Sequence, residues 1–198
     1  MGPFPRVDRY LAHLPSGYAS YPECYTRASV YRTFTESRSL RHFPWERTPP
    51  QIAALLRTPV AHEAWLSEVQ VLCAVLAMAD HHGLDDEQTL QWFRDANGTL
   101  LGSRLHRAAL SLASPSLMIR VADNRWHTFH RGTGFGMTQD GNSAHVTLRY
   151  PPFLYTELVL RGMAEGFRIA LSMSRAKNTQ VEIVNTTPRS AEYRLTWT

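Results

Sequence analysis

Between Phe135 and Tyr150 the chain turns back on itself, and this narrows the choice of fold more than any other stretch. Two runs of strand-forming residues, Phe135–Thr138 and Ala144–Tyr150, flank Asp140-Gly141, a pair that tolerates the positive φ of a tight hairpin turn. In the second run Val146, Leu148 and Tyr150 alternate with His145, Thr147 and Arg149, so one face is buried and the other is wet. Pro151-Pro152 stops the strand, and a long helix is expected over roughly Phe153 to Arg175. Inside it, Gly162 and Gly166 stand four residues apart. Glycine weakens a helix, so another element should press close there. Val181–Val184 and Tyr193–Trp197 form a second hairpin around Pro188. Hairpin, helix, hairpin predicts a four-stranded, mainly antiparallel sheet covered by helices, an α+β fold whose N-terminal half is helical.

Upstream the period is that of helices. Thr48 before Pro49-Pro50 reads as the start of a short helix through Leu56. Trp65, Val69, Leu72, Val75, Leu76 and Ala79 recur at spacings of three and four, on a helix that stops at Gly83. Asp85 or Asp86 opens the next helix, which Asn97-Gly98 should interrupt. A further helix is expected from about Thr99 to Leu112, and another from Ser114-Pro115 to Arg131, ending at Gly132. Residues 1–24 hold four prolines, which disfavours regular structure. The domain reading is therefore an extended arm over residues 1–48, plugged in by Phe43 and Trp45, on a single α+β domain over 49–198.

Composition removes several classes. The 43 % hydrophobic content is that of a globular chain rather than a disordered one. No run approaches the roughly 18 apolar residues of a membrane span, and the start MGPFPRVDRY lacks a secretory core, so a cytoplasmic protein is expected. Two cysteines, Cys24 and Cys73, make no disulfide framework. The net charge is +4, but it is spread thinly, with a negative middle third, and no basic run that would mark a nucleic-acid surface.

The helix start at Ser114–Leu117, the aromatic stretch RWHTFHRG (Arg125–Gly132), the hairpin at Asp140-Gly141 and the closing YRLTW (Tyr193–Trp197) resemble one known group of proteins. It is a domain-of-unknown-function family of about 200 residues abundant in myxobacteria, and the likeness covers roughly residues 100–198. More distantly, the element order is similar to the haem–nitric-oxide-binding and vinyl-reductase-like sensor folds. The resemblance implies a small hydrophobic ligand held between helices and sheet. Vinyl-reductase-like members often carry cysteines near the last hairpin, and this chain has none there.

Three constellations invite chemistry. In Trp126-His127-Thr128-Phe129-His130, the two imidazoles are three apart and would share a helix face. They are too few for zinc without His106 or Asp123, although one His suffices as an axial haem ligand. The plainer reading is an aromatic helix end whose histidines favour the C-terminal dipole. Asp80-His81-His82-Gly83 with Asp85-Asp86 carries possible metal ligands, but helix capping alone selects the same residues. Gly132-Thr-Gly134-Phe-Gly136 follows a helix and enters a strand, the wrong context for a phosphate cradle, so it reads as a connector. Nothing pairs a nucleophile with a base, which makes an enzyme the weaker reading.

The expectation is a non-catalytic sensor or adaptor that binds a small apolar ligand or a protein partner between helices and sheet. Its ligand-binding residues would be Trp126, His127, Phe129, His130, Arg131, Phe153 and Glu157, with no metal and no cofactor. The rivals are a metal- or haem-dependent enzyme using His127 and His130, and a structural interaction module docking through the arm. A small hydrophobic ligand or a protein is the expected partner, with a homodimer open and nucleic acid and membrane set aside.

Overall fold

The computed structural model describes residues 2–102 and 114–198. The expected helix over Thr99–Leu112 lies largely outside the described residues, as does His106. The described chain forms two compact units. Unit 1 comprises residues up to Thr89 together with His130–Gly132, and unit 2 comprises Leu90–Phe129 together with Thr133–Thr198.

In unit 1, α1 (Pro5–Ala12), α2 (Ala28–Thr35) and α3 (Pro50–Arg57) pack around α4 (Glu68–His81). Ser67 caps α4 by accepting from the Gln70 amide at 3.5 Å. Its apolar residues do not stop at one stripe: Val71, Cys73, Ala74, Ala77 and Met78 are buried together with Val69, Leu72, Val75, Leu76 and Ala79. A helix apolar all round belongs in the centre of its unit. Three short strands, β1 (Tyr25–Arg27), β2 (Trp65–Ser67) and β3 (His130–Arg131), form an antiparallel sheet in the order β2-β1-β3. The first 48 residues, expected to be extended, thus hold α1, β1 and α2. Pro5 occupies the first turn of α1, where a missing N–H costs nothing, so this proline starts a helix rather than preventing one. Phe43 is buried against Phe4, ring centroids 5.4 Å apart, as its size requires.

Unit 2 is built on the expected sheet. Strands β4 (Gly134–Asp140), β5 (Ser143–Arg149), β6 (Gln180–Thr187) and β7 (Ser190–Thr196) lie in the order β4-β5-β7-β6, all antiparallel. Gly141 takes φ +55° in the first turn. Ala144, Val146, Leu148, Ala191, Tyr193 and Leu195 face inward and are buried. Helix α6 (Pro115–Phe129) packs on β4, and α7 (Glu157–Ser172) on β6 and β7. α7 begins later than expected, because Thr156 supplies the cap, accepting from the Val159 amide at 3.3 Å.

Two further boundaries differ from the sequence reading. Helix α5 (Asp86–Leu101) runs straight through Asn97-Gly98. Its start is fixed by a reciprocal box, with Asp85 accepting from the Gln88 amide and Gln88 from the Asp85 amide. α6 stops at Phe129, so His130 and Arg131 are strand residues, not a helix end.

Candidate functional site

The seven candidate residues fall in different surroundings. In unit 2, Trp126 is buried on α6; its indole N–H donates to Thr133 Oγ1 at 3.1 Å, and its ring stacks on Phe135 with centroids 5.4 Å apart. Phe135 meets Phe167 edge-on, and Phe167 meets Tyr193, whose hydroxyl donates to the Leu160 carbonyl at 3.2 Å. The four rings form a continuous aromatic layer between helices and sheet. Burial pushes the Tyr193 phenol well up, so it stays a neutral donor. Phe129 ends α6 half-buried. His127 is exposed, its Nε2 lying 3.4 Å from Asp123 Oδ1 one turn back. Phe153 and Glu157 are exposed, Phe153 in a left-handed turn at φ +60° with its amide donating to the Pro188 carbonyl at 2.7 Å.

His130 and Arg131 belong to unit 1. β3 pairs with β1, so that His130 sits opposite Thr26 and Arg131 opposite Tyr25. The His130 ring nitrogen Nδ1 lies 3.4 Å from Glu68 Oε2, and the Glu68 side chain is only 4 % exposed. Arg131 lies over the indole of Trp65 at 3.9 Å, and Arg27 over the same ring at 4.3 Å. Gly132 allows this close packing. It has φ +73°, and a Cβ there would run into the Glu23 and Cys24 backbone. The glycine-rich segment is therefore a connector, as its context indicated, with Gly132 its indispensable member.

The site that forms around His130 includes Glu68, Thr26 and Trp65, none of them among the sequence candidates. One signal was available: Glu68 opens a stretch that is otherwise apolar to Ala79 but for Gln70, and a lone acid there needs a partner. Trp126, by contrast, joins the ring layer, so the sequence neighbours 126–131 do not converge as one cluster. The shared helix face of His127 and His130 is lost where α6 gives way to β3.

Chemically, the site offers an imidazole–carboxylate contact and an indole face that stacks two guanidinium groups. Burial raises both the Cys24 and the Cys73 thiol to about 12, which leaves them without nucleophilic character. Among the described residues, no group of three or more His, Cys, Asp or Glu side chains is placed to hold a metal ion. No described helix is long and apolar enough to cross a membrane.

No protein-family model and no curated protein matches the sequence. Solved structures do match the fold. One, solved to probe the function of haem distortion in the H-NOX family, has a TM-score of 0.59 at 7 % identity, covering 86 % of this chain and 94 % of that one. An oxygen-binding H-NOX domain related to soluble guanylate cyclases, in its oxygen complex, gives 0.55 at 7 %, covering 86 % and 92 %. The Fe(II) unliganded H-NOX protein from K. algicida gives 0.53 at 8 %, covering 87 % and 96 %. These matches correct the expectation that no cofactor is involved, because the solved chains that share the fold are described through haem and Fe(II). What they establish for this chain is a distant similarity to the haem–nitric-oxide-binding sensor fold.

Proposed function

We propose that the chain is a non-catalytic sensor domain that takes a small ligand, with haem as the group the fold brings to it. One observation carries this reading: the fold is shared with H-NOX domains over 86–87 % of the chain and over most of each solved domain.

Haem needs an axial donor with an open lone pair beside an apolar face. The chain has nine histidines. His13, His42, His62, His127 and His145 are exposed. His130 is turned to Glu68, and His81 bonds the Arg41 carbonyl at 3.1 Å. His82 has a buried Nε2 without a hydrogen-bond partner among the described residues, and its ring lies against that of His81, centroids 4.9 Å apart. His106 lies outside the described residues and would be the further candidate to hold the group. When bound, haem would supply an iron with an open coordination position for a diatomic gas. The chain's own contribution would be an imidazole to hold the group.

Titration of purified protein with hemin, followed by absorbance, tests this. A Soret band that shifts on protein binding, persists in His130→Ala and is lost in His106→Ala is the expected result. A protein that leaves the hemin spectrum unchanged overturns the haem assignment. Native mass spectrometry that finds no retained small molecule in freshly purified protein would then remove the sensor reading as well.

A further inference from the structure

The segment from Trp126 to Thr133 belongs to both units. The chain leaves unit 2 after Phe129, spends His130–Gly132 in unit 1 and is back in unit 2 at Thr133. Within unit 2 the two ends of this excursion are tied together. The Trp126 indole donates to Thr133 Oγ1 at 3.1 Å, with both residues buried, and the same indole stacks on Phe135. A short span closed at its base has little freedom left to lose when its tip is bound.

Within unit 1 the tip is held from several sides. Its backbone pairs with β1, His130 opposite Thr26 and Arg131 opposite Tyr25. The side chains alternate, as strand geometry requires. His130 turns to the buried Glu68 carboxylate, and Arg131 to the Trp65 ring on β2. Gly132 brings the backbone against Glu23 and Cys24, and its carbonyl accepts from the Cys24 thiol at 3.4 Å. Each hold is weak by itself: a two-residue strand, an imidazole at 3.4 Å, a stacked guanidinium. Three consecutive residues cannot lift one hold and keep the others, so the tip is docked or released as a whole. So short an element belongs at the low end of local stability, where opening precedes global unfolding.

We propose that residues 126–133 form a two-state strap, latched by the Trp126–Thr133 hydrogen bond, and that opening the latch frees His130–Gly132 from β1, Glu68 and Trp65. The sensor reading enters only in what would pull the latch, since Trp126 and Phe135 belong to the aromatic layer; the link itself is tested without ligand. Hydrogen exchange of the full chain reads the strap at both ends. Thr133→Val removes the acceptor and should speed exchange of the Tyr25–Arg27 amides about three- to tenfold, the weight of one hydrogen bond. Amides of β5, which is paired on both sides, should stay as they are. Coupling of this kind is reciprocal. Arg131→Gln, which alters only the tip, should therefore speed exchange of the Trp126 indole N–H, followed by NMR, about two- to fivefold. Should Thr133→Val fail to melt cooperatively, Trp126→Phe removes the donor instead and serves for the same amide comparison. Unchanged Tyr25–Arg27 exchange in a folded latch variant, an equal rise across β5, or an unaltered Trp126 indole in Arg131→Gln would each overturn the proposal. A hemin titration without effect bears on the sensor reading alone.

Discussion

Gly162 and Gly166 show what a single hydrogen atom in place of a methyl group can decide. A Cβ at Gly162 would overlap the Phe93 ring, whereas one at Gly166 would stand 3.4 Å from the Asn97 side chain. Gly162→Ala should therefore destabilise by roughly 1–3 kcal/mol through overpacking, despite the better helix former. Gly166→Ala should be neutral or gain up to about 1 kcal/mol. Thermal melts of the two variants check both signs. His130 is a second such position. Removing its ring leaves the buried Glu68 carboxylate without that partner, so His130→Ala should cost about 1–3 kcal/mol, and Glu68→Gln in the same chain should recover part of it. Equal melting temperatures for the single and double variants would contradict this account. His82 adds a pH dependence. Burial first, then His81 and Arg38, hold its pKa below the ordinary value near 6.5. The unfolded chain thus takes up this proton at higher pH than the native state does. The contribution is whole above that value, is lost as pH falls through the window down to the folded value, and is level below it. Between pH 7.5 and 5 the wild-type melting temperature should fall more steeply than that of His82→Gln.

The hairpins were legible residue by residue, because alternation and the Asp-Gly turn are local signals and the partner strand lies next in sequence. The short sheet of unit 1 was not. Each of its strands has two or three residues, too few to show a period, and β3 reaches β1 from more than a hundred residues away. Leu66 and Thr26 look no different from neighbouring helix formers until that pairing is known. Asn97-Gly98 failed as a helix breaker for the same reason: the Asn97 amide donates to the Gly162 carbonyl at 3.4 Å, a tertiary contact that outweighs propensity. Of the candidate residues, Trp126 was expected to line a ligand site and is buried in the aromatic layer, and the split between 129 and 130 was not legible, because strand pairing set it. One more tie joins α5 to α7. Arg94 grips Glu165 through Nε and Nη2 at 3.0 and 3.1 Å, and Arg168 bonds the same carboxylate. The Arg94 hydrogen bond is the main reason that the Glu165 pKa is lowered, with Arg168 adding to it. Its stabilisation is present above the ordinary carboxylate value and is lost as pH falls through the folded one. Because Arg94 is partly exposed, Glu165→Gln should cost only about 0.5–1 kcal/mol at pH 7. The cost should vanish in melts at low pH.

The two units are interleaved in sequence, since unit 1 takes His130–Gly132 from within the span that otherwise builds unit 2. A chain ended at residue 102 should lose β3 and leave Glu68 buried without His130. Its Tyr25–Arg27 amides should then exchange with solvent faster than in the full chain, by hydrogen-exchange mass spectrometry. Exchange as slow as in the full chain would show that β3 adds nothing. The same interleaving sets an order in time. During synthesis, unit 1 has all its helices and two of its three strands once Thr89 has emerged, yet its sheet stays open until Gly132 follows. At about 5–20 residues per second, the intervening stretch keeps it waiting for roughly 2–9 s. For that interval a nascent chain carries a half-made site with an acid at its centre, a form that a chaperone can meet and that the finished protein never shows.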